Sequence, residues 1–170
     1  EFDELINDDD KPFFDRAAQG RYSPASTIKP AIGLFGIDKD ILDWEYTIQD
    51  PGFFILPEDG RIYRGWKKGG HGEINLKDAI IESSNTFFFS LAYQTEIEEL
   101  RAHLSNFGFG KNVCDDCFMP DNGLLPSPRW KMNTHNFGWF KGDTVNVGVG
   151  QGYINACLLY TSPSPRDTIR

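Results

Sequence analysis

The sequence predicts a mixed α/β domain (α+β class) in which helices outweigh strands. Two observations point there. Apolar residues recur at helical spacing in three stretches: TIKPAIGLFGI following Ser26, LKDAIIESSNTFFFSLAYQT (76–95) and EIEELRAHLSNFGFG (96–110). Extended character is confined to short pieces, FFIL (53–56) and the glycine-rich VNVGVGQGY (145–153). Composition supports a packed core, with 170 residues that are 39% hydrophobic and 14% aromatic. A net charge of -8 gives little attraction for nucleic acid or anionic lipid, so no nucleic-acid partner is expected.

Residues 1–25 are polar and turn-rich, with Pro12, Gly20 and Pro24. Their acidic opening carries no signal-peptide pattern and no starting Met, so the chain is expected to begin inside a longer protein. No apolar run is long enough to span a membrane. Pro30 belongs only in a first helical turn, which places a helix start near Ser26. Gly33 and Gly36 either weaken that helix or let another backbone approach. Asp50-Pro51-Gly52 signals a turn, followed by FFIL as a short buried strand or extended segment. The basic, aromatic and glycine-rich stretch 60–74 reads as a loop at a surface or cleft. Asn75 or Asn85 is a candidate helix cap. Ile80, Ile81, Phe87, Phe88 and Leu91 mark 76–95 as substantially buried helix. Ile97, Leu100 and Leu104 share a face of the next helix, which Gly108 or Gly110 stops. Residues 111–144 read as loop, and 145–153 as extended chain with close backbone packing.

Ser26-Thr27-Ile28-Lys29 is a Ser-x-x-Lys tetrad. At i and i+3 on a helix, the two side chains share a face. A lysine kept neutral by burial or a nearby cation can take the serine proton and make a nucleophile. A helix cap beside a solvated lysine is the competing reading of those four residues. Ser83-Ser84-Asn85 adds a hydroxyl and an amide in a buried helical context, where a helix-start cap is the alternative. Gly65-Trp66-Lys67-Lys68-Gly69-Gly70-His71-Gly72 is unusual for a plain surface loop. No GxGxxG unit or Walker loop occurs, and no cofactor is expected.

With those residues in hand, the sequence resembles the penicillin-binding protein 2 family, the class B peptidoglycan D,D-transpeptidases of rod-shape elongation. The matching strings are DRAAQGRYSPASTIKP, DPGFFILP, RIYRGWKKGGHGEINL, AIIESSNTFFF, FGFGKN, GLLPSPRWK and GDTVNVGVGQGY, in the family's order. The resemblance implies a penicillin-binding transpeptidase or β-lactamase-like fold. That fold is a central antiparallel sheet covered by helices, beside an all-helical lobe. Mainly the helical lobe and the nucleophile helix fall within this segment, and most of the sheet does not. Alone, such a segment is expected to fold poorly and leave apolar faces exposed.

The same resemblance implies roles for four residues. Ser26 would attack the penultimate D-Ala carbonyl of a stem pentapeptide, and its backbone N–H would supply half of the oxyanion hole. Lys29 would be the general base. Ser83 would relay a proton, and Asn85 would hold Lys29 and the substrate amide. An amine from a second stem peptide would then form the 4→3 crosslink, and β-lactams would trap Ser26. The family works at the periplasmic face of the bacterial inner membrane, on an N-terminal anchor outside this chain, with a multispanning glycosyltransferase as partner. A β-lactamase or β-lactam sensor is one alternative function. A catalytically inactive interaction module of the elongation machinery is another.

Several positions depart from the family pattern. Ala25 stands where Gly often precedes the nucleophile, a change expected to be tolerated. Asn85 stands where this branch often has Asp. Some members carry zinc at four positions that here hold Asp50, Gly65, His71 and Ser84. Two ligands are missing, so no metal is expected, and His71 reads instead as a loop or cleft residue. Cys114 and Cys117 form a C-x-x-C that is compatible with unpaired thiols, a local disulfide, or a metal or redox role. Neither Lys-Thr-Gly nor Lys-Ser-Gly, the family's third motif, occurs in the chain. The partial transpeptidase domain is expected to occupy 1–156. Residues 157–167, CLLYTSPSPRD, match the in-frame translation of a transposase-based sequencing adapter. The segment 157–170, with Cys157, is therefore expected to be non-native.

Overall fold

The computed structural model describes residues 2–14, 19–112 and 121–156. Cys114, Cys117 and the segment 157–170 lie outside them. A short helix, α1 (Phe2–Ile6), opens the chain within the stretch read as turn-rich. A 3-10 turn (Ala25–Ile28) runs directly into α2 (Lys29–Asp38). Four short strands follow: β1 (Thr47–Asp50), β2 (Phe53–Ile55), β3 (Ile62–Arg64) and β4 (Gly72–Asn75). The remaining helices are α3 (Leu76–Ile81), α4 (Asn85–Tyr93), α5 (Ile97–Asn106), α6 (Pro128–His135) and α7 (Lys141–Val147).

Helix α4 is the centre of the packing. It buries Phe87, Phe88, Phe89, Leu91 and Ala92 and contacts α2, α3, α7 and the first three strands. Helix α2 crosses it with Ile28, Ile32 and Phe35 buried, and also packs on α5, whose Leu100 and Leu104 are fully covered. Close approach explains the α2 glycines. A Cβ on Gly33 would lie 2.8 Å from Leu76 Cδ1, and one on Gly36 would lie 3.0 Å from both Leu42 and Leu91. Pro30 sits in the first turn of α2, where the missing N–H costs no intrahelical bond.

The strands form two nested antiparallel pairs. β1 pairs with β4 (Thr47↔Asn75 to Asp50↔Gly72), and β2 pairs with β3 inside them (Phe53↔Arg64 to Ile55↔Ile62). The described residues therefore hold only two-stranded sheets, consistent with a transpeptidase fold from which most of the central sheet is missing. Residues 60–74 were expected to be loop, yet they contain β3 and β4. Each is three or four residues long, too short for alternation to register; β3 pairs locally with β2, and β4 pairs with the distant β1. FFIL is a strand over 53–55 that is half-buried, since Phe53 and Ile55 face solvent while Phe54 packs against the core and Leu56, just after the strand, enters it.

Further expectations are corrected. The stretch 76–95 is two helices, broken at Ser83, whose φ of +52° no helix continues through. Asn75 caps α3 by accepting from Asp78 N at 2.9 Å, whereas Ser84 rather than Asn85 caps α4, accepting from Phe87 N. Ile80 and Ile81, expected inside, are 37% and 66% exposed. Residues 111–144, read as loop from their prolines, contain α6, which starts on a Ser127 cap with Pro128 in its first turn. The extended reading of 145–153 fails at its start, where Val145 and Val147 lie buried in α7 against α4. Burial there outweighs the strand preference of valine.

Candidate active site

The nucleophile candidate sits at a strained junction. Ala25 has φ +47°, the left-handed region that glycine adopts freely and alanine enters at a cost of about 1 kcal/mol. The Gly-to-Ala departure is therefore not free. It persists because a loop from the far end of the chain holds it. Ala25 N donates to Gly150 O at 2.9 Å, and the Ser23 hydroxyl donates to the same carbonyl. Gly150 has φ +69°, and a Cβ there would run into the Ala25 backbone. The close packing expected of GVGQGY is thus backbone against backbone, directly beneath Ser26. Ser26 itself is solvent-exposed, and its carbonyl accepts from Lys29 N in the 3-10 turn, which leaves the two side chains one turn apart.

Lys29 opens α2 and is only 1% exposed. Its Nζ lies 2.7 Å from Ser83 O, 2.7 Å from Asn85 Oδ1 and 3.0 Å from Ser83 Oγ. Burial lowers its pKa from 10.5 to about 8. The partners matter as much as the shift. Ser83 O and Asn85 Oδ1 only accept, so they occupy two N–H groups in either protonation state. The third direction meets a hydroxyl, which accepts from an ammonium or donates to a neutral amine. The site can therefore hold the free amine without orphaning a bond. The left-handed turn at Ser83 makes this possible, because it presents both its carbonyl and its hydroxyl to Lys29. All four sequence candidates are accounted for: Lys29, Ser83 and Asn85 form one cluster, and Ser26 stands a turn away at the surface.

A polar network beside the second motif was not anticipated as a unit. Asp50, 2% exposed, accepts from His71 Nδ1 at 2.7 Å and Ser84 Oγ at 2.8 Å on one oxygen, and from Gly52 N at 2.7 Å on the other. Burial alone would raise its pKa. The hydrogen bonds from His71, Ser84 and Gly52 outweigh it and hold the carboxyl below its usual value. With Nδ1–H donating to Asp50, His71 Nε2 is buried without a hydrogen-bond partner among the described residues, 3.9 Å from Glu82 Oε2. Three of the four positions that hold zinc in some relatives do converge here, but the donor chemistry does not fit zinc. Ser84 offers a neutral hydroxyl already donated to Asp50, and Gly65 offers no side chain.

Lys131, which sequence reasoning did not single out, is nearly as buried as Lys29. It pairs with Asp143 at 2.6 Å and faces the rings of Phe140, Tyr153 and Trp139, which ties α6 to α7. A Ser-Pro helix start three residues earlier was the available signal.

Comparison with known proteins gives a family and several relatives. A family described as the penicillin binding protein transpeptidase domain matches residues 3–162. The chain is 42% identical over 159 residues to peptidoglycan D,D-transpeptidase MrdA of Acinetobacter baumannii, covering 94% of this chain and 24% of that protein. Among solved structures it is similar to PBP2 of Pseudomonas aeruginosa in complex with WCK 5153, at TM-score 0.88 and 38% identity, covering 94% of this chain and 36% of that one. It is likewise similar to the complex between PBP2 and MreC from Helicobacter pylori, at TM-score 0.87 and 32% identity, covering 94% and 30%. The chain thus spans about a quarter of the length of the curated relative.

Proposed function

The chain belongs to the penicillin-binding protein transpeptidase family, and from that premise we propose that the protein it comes from is a serine D,D-transpeptidase of cell-wall elongation. The observation that supports this best is the buried Lys29 amine, held by Ser83 and Asn85 one turn from an exposed Ser26. Lys29 takes the Ser26 proton as Oγ attacks the penultimate D-Ala carbonyl of a stem peptide. The Ser26 N–H donates to the developing oxyanion. The C–N bond to the terminal D-Ala breaks, and the proton reaches that leaving amine through Ser83. The amine of a second stem peptide then attacks the acyl-serine ester, forms the 4→3 crosslink and releases Ser26. Asn85 keeps Lys29 in register and binds the substrate amide. β-Lactams acylate the same oxygen.

The parent protein works at the periplasmic face of the inner membrane, with its anchor and its Lys-Thr/Ser-Gly strand outside residues 1–156. No helix among the described residues is long and apolar enough to cross a membrane. An elongation-complex partner is consistent with the similarity to the PBP2–MreC complex, and the resemblance implies a multispanning glycosyltransferase as a further partner.

The lifetime of the acyl-enzyme tests the reaction class. Full-length protein mixed with penicillin is expected to form an adduct, mapped to Ser26 by mass spectrometry, that persists for many catalytic turnovers. Rapid hydrolysis of the adduct would instead indicate a β-lactamase, and no adduct at all would indicate an inactive module.

A further inference from the structure

Three consecutive residues of the second motif face two different partners. Ser83 and Asn85 bond Lys29, while Ser84, fully buried between them, donates to Asp50 at 2.8 Å and caps α4 by accepting from Phe87 N at 3.2 Å. Asp50 is fixed in turn. It ends β1, paired with Gly72 of β4, its carbonyl accepts from His71 N at 3.1 Å, and its carboxylate accepts from Gly52 N and His71 Nδ1. The left-handed turn at Ser83 is unfavourable by itself and persists only where its surroundings hold it. Lys29 alone is a weak restraint, being one long side chain that must also change protonation. Backbone hydrogen bonds close the end of α3 around the turn, Ser83 N to Ile80 O at 3.2 Å and Ser84 N to Ala79 O at 2.9 Å, and the strand pair adds a side-chain restraint through Ser84.

We infer that Asp50 and Ser84 are positioning residues for acyl transfer: their hydrogen bond anchors the 83–85 turn to the β1–β4 pair and so fixes the two groups that hold Lys29. The donor set does not suit zinc, and here a carboxylate–hydroxyl bond does the bracing without a metal. Neither residue touches the substrate. The inference rests on the transpeptidase reading above, and it predicts that loosening the brace slows chemistry rather than binding.

Saturation kinetics of acylation by a fluorescent penicillin, on the full-length protein, separate the noncovalent dissociation constant from the acylation rate constant. Ser84→Ala and Asp50→Ala are expected to lower the rate constant about tenfold or more, with the dissociation constant within about twofold of the parent. Asp50→Asn is expected to recover most of the rate, because its amide still forms a hydrogen bond with the Ser84 hydroxyl. Leu100→Ala, a core truncation on α5, provides a variant that is destabilised without touching the brace. If Ser84→Ala and Asp50→Ala both acylate at the parent rate, the inference is overturned. It is equally overturned if Leu100→Ala slows acylation as much at the same loss of Tm. A parent protein that forms no adduct would instead overturn the transpeptidase reading, so the two failures are distinguishable.

Discussion

Lys29→Met in the full-length protein is expected to slow acylation of Ser26 by about a thousandfold, within the range for loss of a general base. Methionine fills much of the same volume and suits the apolar surroundings, including the Phe88 ring 5.5 Å from the Lys29 amine. It cannot accept the serine proton. Stopped-flow acylation measures the rate, and circular dichroism checks that the fold survives. The same substitution removes a pH dependence of stability. A lysine whose folded pKa lies near 8 binds fewer protons in the folded than in the unfolded state between about 8 and 10.5. Stability contributed through Lys29 therefore rises with pH across that window. Urea midpoints at pH 7.5 and 10 are expected to reveal this rise in the parent, and the rise is expected to shrink in Lys29→Met.

Gly150→Ala is expected to cost about 2–4 kcal/mol and to abolish acylation. Two penalties combine: a non-glycine residue at φ +69° costs about 1 kcal/mol, and a Cβ forced onto the Ala25 backbone adds the cost of overpacking. The Ala25 backbone has no room to yield, being at φ +47° and bonded to Gly150 O. The displacement therefore passes to Ser26. Gly69→Ala gives the comparison. Gly69 also has positive φ, +88°, but a Cβ there would meet nothing within 4 Å, so only the conformational cost of about 1 kcal/mol is expected, with acylation retained. Urea denaturation and acylation rates on both variants check the contrast.

The candidate site was largely legible in the sequence because its signals are local. Ser26 and Lys29 lie three residues apart, Ser83 and Asn85 two apart, and each pair needs only one turn of backbone to act together. What was not legible is set by distance. β1, β3 and β4 are too short to announce themselves and exist through pairing across as many as 28 residues. Helix α7 carries alternating valines that read as a strand, and only its burial against α4 makes it helical. The break at Ser83 was legible only as an alternative. Ser83-Ser84-Asn85 offered a helix-start cap, but helical periodicity continues across it, and the left-handed residue decides that α3 and α4 are separate. Position 25 shows the same limit. Alanine there looked harmless, until its positive φ showed why glycine suits the site.

The central claim is that Ser26 is activated by a Lys29 amine whose pKa burial lowers to about 8, within reach of the free base. Its most direct test is the pH dependence of the acylation rate constant between pH 6 and 10 in the full-length protein, with the adduct mapped to Ser26 at each pH. The account predicts a rate that climbs as the amine deprotonates and levels off above a midpoint near 8, with the climb absent in Lys29→Met. A rate independent of pH across that range, or an adduct on any residue other than Ser26, would contradict it.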